Sequence, residues 1–270
     1  MRWAKLENKV WIVFACIGVL LTYWGIHQLF IIPAFGPDHW AWLTSDPETI
    51  DYFKFWFRIQ GVWTASNGIF ITLIASTGFK SGERWAWWIL VYVPIHVLLL
   101  TTQMYWLFIF TIPIALLLAW TLWISRSHLQ PTQINRRGYG WIGLFAIGLG
   151  LLYYAYDNFI VIPALDIRDP DRGWAWLTTV PEVIDYIKFY FRIFGVRVFA
   201  FGMIILLTAV KGLRDGYHRA WRALLIVPVL VAVHIFFWPW LAPFLIGMVL
   251  LTCLGLWLAY PKIMAAENEG

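Results

Sequence analysis

HWAWLTSDPETIDYFKFWFRIQGV, His39–Val62, is answered further along the chain by GWAWLTTVPEVIDYIKFYFRIFGV, Gly173–Val196. At a constant offset of 134, 17 of the 24 positions are identical. Similarity of this length is the mark of an internal duplication. Upstream, Phe30-Ile31-Ile32-Pro33-Ala34 matches Ile160-Val161-Ile162-Pro163-Ala164 at an offset of 130, so the second copy carries four extra residues in the intervening loop. Downstream, Ala86-Trp87 and Pro94 return as Ala220-Trp221 and Pro228.

What surrounds the duplicated segment decides the fold class. Of 270 residues, 61% are hydrophobic and 13% charged, with 20 Trp, 20 Phe and 12 Tyr. Soluble domains carry about 45–50% apolar and about 25% charged residues. A soluble globule could not hide so much apolar surface, which excludes water-soluble enzymes built on open clefts. Apolar runs over 10–35, 52–77, 85–101, 106–124, 139–165, 186–210, 220–237 and 240–260 are each near the ~20 residues of one crossing. They lack the alternation of barrel strands. The expectation is an all-α, polytopic membrane protein of eight transmembrane helices. They form two four-helix repeats, 1–125 and 138–270, joined by a polar linker at 126–137. Four crossings per copy is an even number, so the copies run parallel, related by an axis along the membrane normal.

Charge sets the orientation. Arg2, Lys5, Lys9, Lys80, Arg84, Arg126, Arg136, Arg137, Lys211, Arg214, Arg219, Arg222 and Lys262 are 13 of the 20 basic residues, and eight crossings put them all on one side. The opposite loops hold Arg168 and Arg172 among Asp38, Asp46, Asp166, Asp169 and Asp171. The positive-inside rule then makes both termini cytoplasmic, in a bacterial-type inner (plasma) membrane. The net charge of +5 reads as topology and as attraction to anionic lipid, not as a nucleic-acid footprint. Trp40, Trp42, Trp174 and Trp176 suit an interfacial belt. The apolar run after Lys9 is too long for a signal peptide and is expected as an uncleaved first helix.

Within the duplicated helix, Asp51, Lys54, Arg58, Gly61 and Gly68 recur as Asp185, Lys188, Arg192, Gly195 and Gly202. Their spacing suggests one helical face, charged in its outer half and small in its inner half. Charge in hydrocarbon is costly, so this stripe is expected to turn into the bundle. It would form either an ion-pair network or a site for a carboxylate, phosphate or quinone carbonyl. The copies differ informatively: His27 corresponds to Asp157, and Trp63 to Arg197. An Asp157–Arg197 (or Asp157–Arg192) pair inside the membrane is the expected consequence. His96 and His234 lie within apolar runs, as buried histidines or haem ligands, and are not repeat equivalents. Cys16 and Cys253 form no CxxC, and no HExxH, GxSxG or Walker motif occurs.

The pattern PE-x-x-DY-x-K…FR-x-x-GV (Pro47–Val62), followed by Gly82-Glu83-Arg84-Trp85-Ala86-Trp87-Trp88 and Pro94, resembles bacterial four-helix membrane proteins grouped as DoxX-like. The chain is similar to two such units fused. The second unit departs at Gly216-Tyr217-His218-Arg219-Ala220-Trp221. The resemblance implies a role beside quinone-linked membrane oxidoreductases, by analogy of fold. Absent catalytic motifs, short loops and a small-residue packing face point to a non-catalytic accessory or scaffolding subunit without a cofactor, in lipid beside other membrane subunits. The alternatives are a quinone-, lipid- or haem-binding subunit of a membrane oxidoreductase, and a small-solute transporter.

Overall fold

The computed structural model describes residues 9–103, 108–126, 129, 139–164, 178 and 180–268. Arg2, Lys5, His128, Arg136, Arg137, Asp166, Arg168, Asp169, Asp171, Arg172, Trp174 and Trp176, with most of the 126–137 linker, lie outside the described residues. Among the described residues no strand occurs. The helices are α1 (Val10–Ile26), α2 (Pro37–Trp40), α3 (Pro47–Ile74), α4 (Arg84–Leu90), α5 (Tyr92–Gln103), α6 (Phe108–Ser125), α7 (Trp141–Tyr156), α8 (Pro181–Leu207), α9 (His218–Leu224), α10 (Ile226–Phe237) and α11 (Ala242–Asn268). π-Helical turns at His27–Ile31, Ala75–Phe79, Asp157–Val161 and Thr208–Leu213 prolong α1, α3, α7 and α8.

Among the described residues, six helical stretches are long and apolar enough to cross a membrane. They are Val10–Ala34, Pro47–Phe79, Trp141–Ala164, Pro181–Leu213, His218–Phe237 and Ala242–Ala259. By length and composition the chain therefore has multi-pass membrane character. Two further apolar helices, Arg84–Leu99 and Thr111–Ser125, are shorter, so this measure stops at six where the sequence suggested eight. Proline explains where two helices break. Pro94 has no N–H for the Leu90 carbonyl and Pro228 none for that of Leu224, and these residues end α4 and α9.

The start of α3 is set by Asp46, whose carboxylate accepts from the Thr49 amide at 3.0 Å and from the Thr49 hydroxyl. α8 begins at Pro181, and the preceding Val180 provides no side-chain cap. The Thr49 hydroxyl and amide hold the Asp46 carboxyl below its ordinary value of 3.8. A lowered folded-state pKa means the cap is intact above the ordinary value and is lost as pH falls through the lower folded one. The exchange protection of the Thr49 amide, relative to its intrinsic rate at each pH, is therefore expected to fall on acidification below about pH 4, or on Asp46→Ala at neutral pH. The protection of Val183 should not respond.

The most extensive helix contacts are α1 with α3 and α7 with α8. α3 crosses α8 at the centre, α5 packs on α8, and α10 packs on α3. Glycine allows the α1–α3 approach. A Cβ at Gly61 would lie 2.6 Å from the Gly25 carbonyl oxygen, and one at Gly68 would lie 2.5 Å from that of Gly18. Toward the N-terminal ends of α3 and α8, an aromatic layer of Trp40, Phe53, Phe57 and Phe191 closes the interface. Trp56 packs against Phe191 and Phe194 with centroid distances of 4.6 and 5.3 Å. Further along, Phe70, Ile74, Phe201 and Ile205 form a second buried apolar layer.

Candidate functional site at the centre of the bundle

Between these two layers the core is polar. Gln28, Gln60, Thr64, Asn67, His96, Arg197 and His234 are all buried. Arg197 has 16 residues of the 33-residue Pro181–Leu213 stretch on either side, so it lies midway along that stretch. Its Nη1 donates to Gln28 Oε1 and Gln60 Oε1, each at 2.9 Å, and at 3.4 Å to the Gln60 carbonyl oxygen. Thr64 Oγ1 donates to the Gln60 carbonyl oxygen at 2.8 Å. Asn67 Nδ2 donates to the main-chain oxygens of Trp63 and Arg197, both at 3.0 Å. Gln60 Nε2 donates to the Tyr190 carbonyl oxygen at 3.3 Å.

These bonds spread the charge of Arg197 over amide oxygens without neutralising it. Among the described residues no carboxylate contacts the guanidinium, and the hydrogen bonds it makes run from Nη1. A mid-membrane arginine costs about 2.5–3.5 kcal/mol on insertion scales. A hydrogen bond from a charged group returns about 1.5–3 kcal/mol, so the two short bonds make the cation tolerable while leaving its field in place.

Other groups around this layer are also unused. The buried Asn67 Oδ1, Trp63 Nε1 and His96 Nδ1 have no partner among the described residues. His234 Nδ1 lies 2.6 Å from the Leu230 carbonyl oxygen, which fixes the proton on Nδ1 and leaves Nε2 as a buried acceptor. The His234 ring lies 4.2 Å from the Trp63 ring, tilted at 58° to it. Together these offer donors and acceptors to a neutral or anionic polar head. On the opposite, α7-facing side of α8 is an apolar cavity of about 230 Å³, lined by Leu99 of α5, Leu152 and Tyr156 of α7, and Gly195, Val196 and Phe199 of α8.

The candidate stripe lies elsewhere. Arg58 and Arg192 are exposed, and so are Asp51 and Asp185, with Lys54 and Lys188 half-buried. The reason is rotational phase. Arg58 precedes the inward Gln60 by two residues, about 200° around the helix, and Asp51 precedes it by nine, about 180°. Arg192 stands in the same relation to the buried Phe194. Lys54 reaches Asp51 at 3.8 Å, with the Asp51 side chain 80% exposed, and such a surface pair contributes little. Among the described residues Lys188 and Asp185 form no such pair. Gly61 and Gly68 sit between the two faces, against α1.

The expected pairing of Asp157 with Arg197 or Arg192 does not form either. Gly195 and Gly202 face α7, and Arg197, two residues past Gly195, points about 200° away towards α1 and α3. Asp157 is half-buried and makes no ion pair among the described residues. His96 and His234 have different neighbours: Tyr92 for His96, Trp63 for His234. Among the described residues no group of three or more His, Cys, Asp or Glu could hold a metal ion, and Cys16 and Cys253 are free.

Gln28, Gln60, Thr64 and Asn67 were not read from the sequence as site residues. A signal was available, because each breaks the duplication: Gln60 answers Phe194, Thr64 answers Val198, Asn67 answers Phe201, and Gln28 answers Asn158. No protein-family profile, curated protein or solved structure matches the chain.

Proposed function

We propose that the chain is a ligand-binding membrane subunit whose site is the Arg197 layer. Its ligand is a lipid-soluble amphiphile with an acceptor oxygen at its head, of the quinone or long-chain carboxylate class. The single observation that carries this reading is a buried arginine without a carboxylate. The head would meet Arg197 and the unused groups of Asn67 and His96. Such a subunit performs no chemistry alone and belongs beside other membrane proteins, in keeping with the DoxX-like resemblance.

The same proposal carries the architecture of two parallel four-helix units and eight crossings, counting the two shorter apolar helices, in a bacterial-type inner membrane with cytoplasmic termini. Equivalent hydrogen bonds at an offset of 134 support it: Trp87 Nε1 donates to the Leu122 carbonyl oxygen and Trp221 Nε1 to that of Leu256, both at 3.0 Å. Gly82 and Gly216, also 134 apart, both adopt positive φ, at 73° and 86°.

A competing reading has its own observation. The bonds from Arg197 tie α8 to α1 and α3, so the layer could serve only as a packing lock for a scaffolding subunit. Thermal unfolding of the purified full chain in mild detergent separates the two. Saturating decylubiquinone or decanoate is expected to raise the unfolding midpoint of the wild type and not of Arg197→Met. If neither probe shifts the wild type, or if Arg197→Met responds equally, the layer is a packing lock.

A further inference from the structure

The two copies bring their long helices together at different distances, and corresponding glycines measure the difference. A Cβ on Gly68 would lie 2.5 Å from the Gly18 carbonyl oxygen, and one on Gly202 would lie 3.2 Å from that of Gly148. A Cβ on Gly61 would lie 2.6 Å from the Gly25 carbonyl oxygen, and one on Gly195 would lie 2.9 Å from that of Ala155. At these crossings α7 therefore stands farther from α8 than α1 does from α3. At an offset of 130, Ala155 takes the place of Gly25. A methyl could not enter the tighter crossing, where a Cβ on Gly25 would meet the Ala65 amide nitrogen at 2.3 Å. The neighbours enlarge in step: Leu152 stands where the first copy has Thr22, and Phe199 where it has Ala65.

Ala155, Leu152 and Phe199 all line the apolar cavity of about 230 Å³. α5 and α7 each pack on α8 and make no extensive contact with each other, so the cavity is a groove between them. Val196, only 3% exposed, lies on the α8 side, Leu99 on the α5 side, and Tyr156 and Ile160 on the α7 side. Tyr156 and Ile160 are 55% and 46% exposed, on a stretch long and apolar enough to cross a membrane. The groove therefore adjoins the surface that hydrocarbon covers. Of its lining residues Tyr156 alone carries a polar side-chain atom, so a polar head finds almost nothing to bind there. An apolar cavity of about 150 Å³ already stays dry and takes up a benzene-sized molecule.

We infer that this groove seats one hydrocarbon chain of a bilayer lipid against α8, inside the ordinary lipid boundary. The inference is independent of the Arg197 layer, because Arg197 points about 200° around α8 from Gly195. The test places the purified full chain in phosphatidylcholine nanodiscs whose lipid carries a diazirine at the middle or, in a second preparation, the end of one acyl chain. Photolabelled residues are mapped by peptide mass spectrometry. Wild type is expected to be labelled at the buried Val196 as well as at Tyr153, whose exposed side chain reports ordinary lipid contact. Leu99→Trp, which fills the groove from α5, should lose the label at Val196 and keep it at Tyr153. Leu152→Trp fills the groove from α7 and serves if Leu99→Trp does not fold. Arg197→Met should be labelled like the wild type, so failure of the Arg197 site and failure of this one are separate results. No label at Val196 in either wild-type preparation, or an undiminished label there in a folded groove-filling variant, overturns the inference.

Discussion

Gly61→Ala is expected to destabilise the bundle by about 3 kcal/mol, the upper end for overpacking, and to cut the yield of monodisperse protein sharply. The added methyl would sit 2.6 Å from the Gly25 carbonyl oxygen and 2.7 Å from the Leu29 amide nitrogen. Both are main-chain atoms of α1 and its π-helical continuation, so no side-chain rotation relieves the clash; the helices must separate. Separation would also disturb Gln28, one residue before Leu29, and with it the bond to Arg197. Gly150 is the control. It lies in α7, is exposed, and nothing stands within 4 Å of its hypothetical Cβ. Gly150→Ala should be neutral or stabilising by about 0.5–1 kcal/mol, the ordinary helix-propensity gain. Unfolding midpoints of the two variants check this, and equal behaviour would show that α1 and α3 are not in backbone contact.

The second large effect concerns the central cation. Gln28→Leu/Gln60→Leu removes both side-chain acceptors while Arg197 stays, and should cost about 3–5 kcal/mol, as for any buried charge stripped of its partners. Adding Arg197→Met removes the charge itself. The triple variant should then exceed the wild type in stability by about 1–4 kcal/mol, because an apolar layer avoids desolvating a cation. It should bind neither decylubiquinone nor decanoate. Stability gained as binding is lost is the pattern of a site kept for function. A triple variant as unstable as the double would mean that Arg197 is not the source of the strain.

Much of the helical framework could be read from the residues. Length and apolar runs located the helices, while the breaks at Pro94 and Pro228 fall inside runs that read as continuous. The glycines at 61 and 68 have the spacing of a close-packing stripe, and they pack on α1. The inward face of α3 was not legible. Asp51, Arg58 and Gly61 share a spacing, but spacing fixes only relative phase on a helix that is apolar on most sides. The absolute phase depends on what α1, α8 and α10 present to it. The site was hidden for a related reason. Duplicated residues drew attention, yet the polar layer is built where the copies diverge, at Gln60, Trp63, Asn67 and Arg197, and its members come together only when α3 crosses α8.

The most direct measurement is an experimental density map of the full chain in a lipid nanodisc, at a resolution that defines side chains around position 197. The account predicts the guanidinium against Gln28 and Gln60, with non-protein density within hydrogen-bond reach of it. A protein carboxylate seated on Arg197, from Asp157 or elsewhere, would contradict it.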